Sequence, residues 1–203
     1  MICHDCGKTI ERGRSSCPAC GGRPVPTVVL GVTGSIAAYK AAELVRLMVR
    51  RDWNVRVVMT ASAVQFVTPL TFQTLSRNKV VTDMFEPVAD WKPEHIDLAS
   101  SADAFVIAPC TANVLAKLAH DLADDSLTAA ALAFGPKVVI APAMNDAMFA
   151  HPATQANLAT LVARGASIVA PGEGALACGT AGKGRLADLD DVIAAVSAAV
   201  AAR

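Results

Sequence analysis

Aromatic residues are scarce in this chain of 203 residues, where they make up only 4% of the sequence. The hydrophobic fraction is nevertheless 53%, so we expect a core built mainly from small side chains such as Ala and Val. No run of about 18 apolar residues escapes interruption by Gly, Pro or a charge, which argues against a membrane-spanning helix. The first residues, MICHDCGK, do not follow the basic-then-apolar order of a signal peptide. These absences predict a soluble cytoplasmic protein.

The chain also has no excess of charge of either sign. Its 18 Lys and Arg residues balance 18 Asp and Glu residues. A balanced charge gives no general attraction to nucleic acid or to an anionic membrane, so neither is expected as a partner. The length suits one α/β domain and a short appendage. We predict a small module at residues 1–23 and a larger domain at residues 24–203.

Cysteine, in contrast, is concentrated at the N-terminus. Of the six cysteines, four form two CxxC pairs in the first two dozen residues, while Cys110 and Cys178 stand alone. Each pair can offer two thiolates from one tight turn, and two turns complete a tetrahedral S₄ site. Gly7 and Gly21 follow the pairs, where the backbone must turn sharply, and His4 is expected to be exposed and not a ligand. A full tetrathiolate has no open coordination position, so we predict a structural Zn²⁺ in a zinc-ribbon-like module. The predicted ligands are Cys3, Cys6, Cys17 and Cys20.

From Thr27 onward, short apolar runs alternate with helical patterns. The runs are VVLGV, VRVVMTA, AFVIAP, KVVIAP and ASIVAP. This alternation predicts an α/β fold, a Rossmann-like parallel sheet flanked by helices. A single helical stretch is predicted between AFVIAP and KVVIAP, and Gly165 is expected to close a later helix. Residues 23–27 contain two prolines and are expected to form a linker.

The segment VVLGVTGSIAAYK places Gly31, Gly34 and Ser35 between a strand and the start of a helix. A glycine turn that leads into a helix presents free amides and a positive dipole end to an anion such as a phosphate. Ser35 could instead act only as a helix cap. The next strand ends with Thr60 and Ser62, at the edge where parallel sheets bind ligands.

Four further segments follow the GSIAAYK turn in a fixed order: EHIDLA, APCTAN, PAMNDAMF and GALACGTAGKGRLA. In this order they resemble the homo-oligomeric flavin-containing cysteine decarboxylases. Within that family they look most like the phosphopantothenoylcysteine decarboxylases of coenzyme A biosynthesis, which form 4′-phosphopantetheine. The resemblance extends from about Thr27 to the C-terminus and does not explain the cysteine module.

The resemblance implies FMN as the cofactor. The family usually has PASAN where this chain has PCTAN, and Trp where this chain has Phe149; both changes should preserve the pocket. The residues that the resemblance assigns to FMN are Gly34, Ser35, Ile36, Thr60, Ser62, Thr111, Ala112, Asn113 and Ala143.

The resemblance also implies a reaction. Oxidation of the substrate thiol by the flavin gives a thioaldehyde, whose C=S group accepts the electrons released with CO₂. The family implies that His95 is the base in the oxidation, that Asn145 holds the substrate carboxylate and that Cys178 donates the final proton. The residues assigned to the substrate are Asn145, Met148, Ala177, Cys178 and Gly179.

Each assignment has a structural alternative. His95 could be an ordinary helical histidine, Asn145 a helix cap and Cys178 a buried thiol. Other functions also stay open: a decarboxylase of a peptide C-terminal cysteine, a flavin prenyltransferase, or a flavin-binding subunit without catalysis. The family further implies a homo-oligomer, typically built from trimers. Many members are fused to the ligase that makes their substrate; because this chain ends shortly after its last predicted helix, we expect a phosphopantothenate–cysteine ligase as a separate protein, or a different substrate.

Overall fold

The computed structural model describes residues 1–11, 14–86, 91–175, 179 and 181–202. Within these residues the strands are β1 (Ile2–Cys3), β2 (Pro24–Val25), β3 (Thr27–Val32), β4 (Asn54–Met59), β5 (Val80–Val81), β6 (Ala104–Cys110), β7 (Val139–Pro142), β8 (Ser167–Ile168), β9 (Gly172–Ala175) and β10 (Ala181–Arg185). The helices are α1 (Ala38–Val49), α2 (Ala61–Val64), α3 (Pro69–Ser76), α4 (Glu94–Ser101), α5 (Ala112–Ala119), α6 (Ser126–Phe134), α7 (Asp146–Ala150), α8 (Pro152–Arg164) and α9 (Leu189–Ala201).

A six-stranded parallel sheet forms the centre of the fold, in the order β5-β4-β3-β6-β7-β8. Every residue of β3, β6 and β7 is buried, because helices cover both faces of the sheet. One face packs against α1, α3 and α9 through residues such as Leu44, Phe72 and Ile193. The other packs against α4, α5, α6 and α8 through Leu98, Leu127 and other side chains. The predicted α/β class with a Rossmann-like parallel sheet is confirmed.

Three local predictions were wrong. The sheet has a sixth strand, β5, whose two residues are too few to give a recognisable apolar run. The predicted single helix before β7 is two helices, because Asp125 caps α6 through a reciprocal capping box with Thr128. Residues 23–27 are not a simple linker, since Pro24–Val25 pairs antiparallel with Ile2–Cys3 and β3 begins at Thr27. The expectation that Gly165 closes a helix is confirmed, with Gly165 in the left-handed conformation after α8.

The N-terminal module meets the domain at the edge of the sheet where the parallel strands begin. The amino group of Met1 lies 3.6 Å from the buried Asp103 carboxylate, which also accepts from the amide of Thr27 at 2.8 Å. Arg23 and Asp52 form an ion pair at 2.9 Å. The six residues of β3 rise about 20 Å to the opposite edge. The cysteine cluster therefore lies far from the edge where such sheets bind ligands.

Among the described residues, no helix combines the length and the apolar character needed to cross a membrane.

Candidate functional site

A cavity of about 580 Å³ opens at the edge of the sheet where the parallel strands end. Its volume lies within the range of cofactor and small-molecule sites. It is formed by the turn after β3, the start of α5, the segment after β7 and the end of β10. The predicted site residues that line it are Gly34, Ser35, Ile36, Thr111, Ala112, Ala143, Asn145 and Met148.

The turn after β3 is built to receive an anion. The amide of Ser35 donates to the Thr33 carbonyl at 2.8 Å, and the Ser35 hydroxyl accepts from the Ala37 amide at 3.3 Å. Within the described ranges, the amides of Gly34 and Ile36 have no protein acceptor. The N-cap residue of α1 is Ala37, which offers no capping side chain, so Ser35 is not the N-cap of this helix. Unpaired amides before a helix start are the donor set that binds a phosphate.

Thr33 holds two parts of the cavity together. Its buried hydroxyl donates to the Pro109 carbonyl at 2.7 Å and accepts from the Thr111 amide at 3.0 Å. These bonds join the ends of β3 and β6, so residues 34–36 and residues 111–112 face the same cavity. The sequence analysis missed Thr33, although a hydroxyl residue directly after a buried strand was the available signal.

Three predicted flavin residues lie near the cavity but do not line it. Thr60 is buried and caps α2, accepting from the Ala63 amide at 3.2 Å. Ser62 is exposed and packs against Gly34, where a β-carbon would overlap the Ser62 side chain. Asn113 is exposed in the first turn of α5. Their contact with FMN stays a prediction.

Asn145 combines the two roles that its sequence left open. Its side-chain oxygen caps α7 by accepting from the Ala147 amide at 2.9 Å, and the residue also lines the cavity. The neighbouring Met144 amide donates to the Gly184 carbonyl at 2.9 Å. A β-carbon on Gly184 would overlap the Met144 carbonyl oxygen, so β10 can lie this close only because residue 184 is glycine.

Among the further lining residues, three carry polar side chains to which the sequence analysis assigned no individual role. Tyr39 and Lys40 extend from the first turn of α1, and Arg185 extends from the end of β10. Arg185 is 3.7 Å from the Asp188 carboxylate. All three stand in the quoted segments GSIAAYK and GKGRLA, so their position beside the glycines was the available signal.

His95 lies on α4 and does not line the cavity of its own chain. Arg56 of β4 fixes this helix through ion pairs with Asp97 and, at 3.3 Å, with Glu94. Burial alone raises the pKa of Asp97, but hydrogen bonds and charges from Arg56 and Lys92 outweigh it and hold that pKa below its ordinary value. The role of His95 stays a prediction.

The remaining predicted substrate residues follow β9. Gly179 is exposed, has a φ of 86° and does not line the cavity. Ala177 and Cys178 lie outside the described residues. Cys110, the other isolated cysteine, is fully buried, and burial raises the pKa of its thiol.

The N-terminal cysteines form a second site. All four sulfur atoms lie within 4.8 Å of one another, with Cys3 and Cys20 3.4 Å apart and Cys6 and Cys17 3.7 Å apart. A tetrahedral ion with zinc–sulfur bonds of about 2.3 Å would place its sulfur ligands about 3.8 Å apart. The predicted set of four cysteines is therefore assembled with a spacing that fits a metal.

The backbone turns sharply after each CxxC pair, as Gly7 and Gly21 predicted. Gly7 has a φ of 69° and donates to the Cys3 carbonyl at 3.0 Å, and Gly21 has a φ of 77° and donates to the Cys17 carbonyl at 2.8 Å. Burial raises the pKa of the Cys3 thiol, but hydrogen bonds from the backbone at Cys6 and Asp5 and from the Cys20 thiol lower it to about 7. His4 is exposed and hydrogen-bonded to Asp5 at 2.7 Å, as expected of a residue that is not a ligand.

Comparison with known proteins identifies the family of this chain. A family model described as Flavoprotein matches residues 22–201. The chain belongs to the Flavoprotein family. The coenzyme A biosynthesis bifunctional protein CoaBC of Bacillus subtilis (strain 168) is 48% identical over 166 residues, which cover 82% of this chain and 41% of that protein. The probable phosphopantothenoylcysteine decarboxylase of Streptococcus mutans is 45% identical over 168 residues, 82% of this chain and 94% of that protein.

A solved structure agrees with these relatives. It is described as a PPC decarboxylase mutant complexed with pantothenoylaminoethenethiol, and it matches with a TM-score of 0.76 and 30% identity over 86% of this chain and 98% of that chain. This flavoprotein chain spans about two fifths of the length of the bifunctional relative. The matched family region begins after all four clustered cysteines, so the second site lies outside it.

Proposed function

We propose that this flavoprotein is an FMN-dependent carboxy-lyase that converts phosphopantothenoylcysteine to 4′-phosphopantetheine in coenzyme A biosynthesis. The observation that carries the proposal is the cavity in which the anion-binding turn at residues 34–36 meets Asn145. The Streptococcus mutans relative, of nearly the same length as the matched region, supports this choice of reaction.

The residues of the cavity fit FMN. The amides of Gly34 and Ile36 and the Ser35 hydroxyl would hold its phosphate, while Thr111 and Ala143 would lie against the rest of the molecule. We assign Ala112, Asn113, Thr60 and Ser62 to the surroundings of the flavin. When bound, FMN supplies the two-electron oxidation of the substrate thiol and the later return of those electrons.

The chain itself supplies orientation and protons. The cap bond to Ala147 fixes the side chain of Asn145 at the cavity wall, where its amide is suited to hold the substrate carboxylate beside Met148. Cys178 would donate the final proton, and Ala177 and Gly179 would contact the substrate.

His95 would complete the site from a neighbouring copy of the chain. It lies outside the cavity of its own subunit, on a helix fixed by Arg56, so it can act as the base only where a second subunit presents it. A site shared between copies requires a homo-oligomer, and the family resemblance supplies the proposal that it is based on trimers. We further propose that the four cysteines bind a structural Zn²⁺. We also propose that a separate ligase supplies the substrate and that the protein acts in the cytoplasm.

The test is to purify the protein, mix it with phosphopantothenoylcysteine, and record the visible spectrum while measuring CO₂ and 4′-phosphopantetheine. We expect a yellow protein that forms both products. A yellow protein that turns over only peptides with a C-terminal cysteine would contradict the substrate, and a colourless protein that FMN cannot reconstitute would contradict the proposal as a whole.

Two variants test the catalytic assignments. His95→Asn should keep FMN but fail to oxidise the substrate, whereas Cys178→Ser should release CO₂ and stop at the oxidised enethiol. Stopped-flow spectra and mass spectrometry of the product separate these outcomes. A fully active Cys178→Ser protein would show that another group donates the final proton.

A further inference from the structure

The β9–β10 hairpin rests on the segment that carries Asn145. Besides the bond from Met144 to Gly184, Gly182 lies so close to Asp146 that a β-carbon at residue 182 would be 2.7 Å from the Asp146 β-carbon. The two glycines permit this close fit but contribute no side chain to hold it. Residue 183, between them, is the position in residues 182–184 that can anchor the strand with a side chain.

Lys183 makes such a contact. Its ammonium group lies 5.9 Å from the centre of the Phe149 ring, within the range of a cation–π interaction. Phe149 is fixed because its partly buried ring also packs against the core beneath α5 and α8. Within the described ranges, Lys183 has no carboxylate partner. The core therefore fixes the Phe149 ring, and the contact of Lys183 with this ring holds the hairpin in place.

We propose that Phe149 and Lys183 are positioning residues, whose cation–π contact holds the hairpin against the substrate side of the cavity. The proposal deepens the proposed function and rests on it, because the hairpin carries residues 177–179, which are assigned to the substrate. Neither side chain lines the cavity, so both act through the placement of the hairpin. Substrate binding depends on this placement, and so does the position of Cys178, to which the final proton transfer is assigned.

Four single variants test the contact. Phe149→Leu and Lys183→Met remove it, and each should raise the KM for phosphopantothenoylcysteine about threefold, the effect expected of an exposed cation–π pair. Lys183→Arg keeps the cation, and Phe149→Trp provides the ring that binds cations best, so these two should match or lower the KM of the unchanged protein. The FMN content should not change in any of the four, whereas kcat should fall only in the two variants that lose the contact, because Cys178 lies between β9 and β10 in the chain.

The double variant Phe149→Leu/Lys183→Met shows whether the two residues act together. Because the contact can be lost only once, the KM of the double variant should not exceed the higher of the two KM values of the single variants. Losses that multiply, or a Lys183→Arg protein as impaired as Lys183→Met, would overturn the proposal. Lys183 is exposed, so its variants keep the test valid even if Phe149→Leu lowers stability.

Hydrogen exchange provides a readout that does not need turnover. The amides of residues 181–185 and of Met144 should exchange about threefold faster in Lys183→Met than in the unchanged protein or Lys183→Arg. Unchanged exchange would overturn the positioning role. If the unchanged protein fails to turn over phosphopantothenoylcysteine, the proposed function fails, while the exchange rates still decide whether Lys183 and Phe149 hold the hairpin.

Discussion

Gly34 is the residue on which the anion-binding turn depends most directly, because a β-carbon there would overlap the Ser62 side chain and lie 3.1 Å from the Ser62 backbone. We predict that Gly34→Ala displaces the turn and weakens FMN binding about tenfold, in line with a cost of about 1–3 kcal/mol for overpacking. The flavin absorbance that the purified protein retains after dialysis measures the effect.

The matched control is the second substitution Ser62→Gly in the same protein. It removes the side chain that the new β-carbon would meet, so the double variant should recover part of the FMN binding. If Gly34→Ala binds FMN normally, the close packing of this turn does not matter for the cofactor.

Single residues also show the limit of prediction from sequence. Gly34, Ser35 and Asn145 belong to recognisable motifs, and the structure brings them to one cavity. Thr33 directly follows a buried strand, but its two hydrogen bonds reach residues 76 and 78 positions away, so the local pattern did not reveal which groups it joins. Lys40 stands in the quoted GSIAAYK segment, but the pattern of its helix alone does not distinguish a cavity-lining lysine from a solvated one.

At the scale of elements, α4 is attached to the sheet by charge. Asp97 of this helix forms ion pairs with Arg56 of β4 and, at 3.3 Å, with Lys92 of the segment before the helix. Because these partners lower the pKa of Asp97 below its ordinary value of 3.8, the carboxylate stabilises the fold above that pH and loses this contribution as the pH falls through the lowered value. The carboxylate is partly exposed, so salt should weaken the effect.

We therefore predict that Asp97→Asn lowers the free energy of unfolding at pH 7 and that the difference from the unchanged protein shrinks below about pH 4. Chemical denaturation at pH 7 and at pH 3 measures the difference, and taking it between two proteins cancels the titration of all other carboxylates. A difference that stays constant between these pH values would show that Arg56 and Lys92 do not stabilise the ionised form.

The sequence predicted elements best where burial is continuous. Because every residue of β3, β6 and β7 is buried, their apolar runs were easy to recognise in the sequence. The strand β5 was missed because two residues carry no periodicity, and the break before α6 was missed because apolar Ala and Leu continue on both sides of it. Tertiary pairing decides the first feature, whereas the second is set by the local capping box of Asp125 and Thr128, which the apolar pattern does not reveal.

At the scale of the whole molecule, the two sites lie at opposite edges of the sheet. The cavity lies where the strands end, and the cysteine cluster joins the domain where they begin, about 20 Å away along β3. The four thiols would leave a bound ion no open position. A metal there can stabilise the N-terminal module but cannot take part in chemistry at the cavity of the same chain.

This separation predicts that the metal can be removed while the flavin stays. Replacing Cys3 and Cys6 by Ser leaves two of the four sulfur ligands, so bound zinc should fall from about one ion per chain to nearly none. The flavin absorbance should be retained, because no residue of the cavity belongs to the cysteine cluster. Elemental analysis and the visible spectrum of one sample measure both quantities, and Cys110→Ala, which introduces the residue that the family usually has there, serves as the cysteine control outside the cluster. Loss of flavin together with zinc would show that the module supports the domain through its edge contacts, such as the ion pair of Arg23 with Asp52 and that of the Met1 amino group with Asp103.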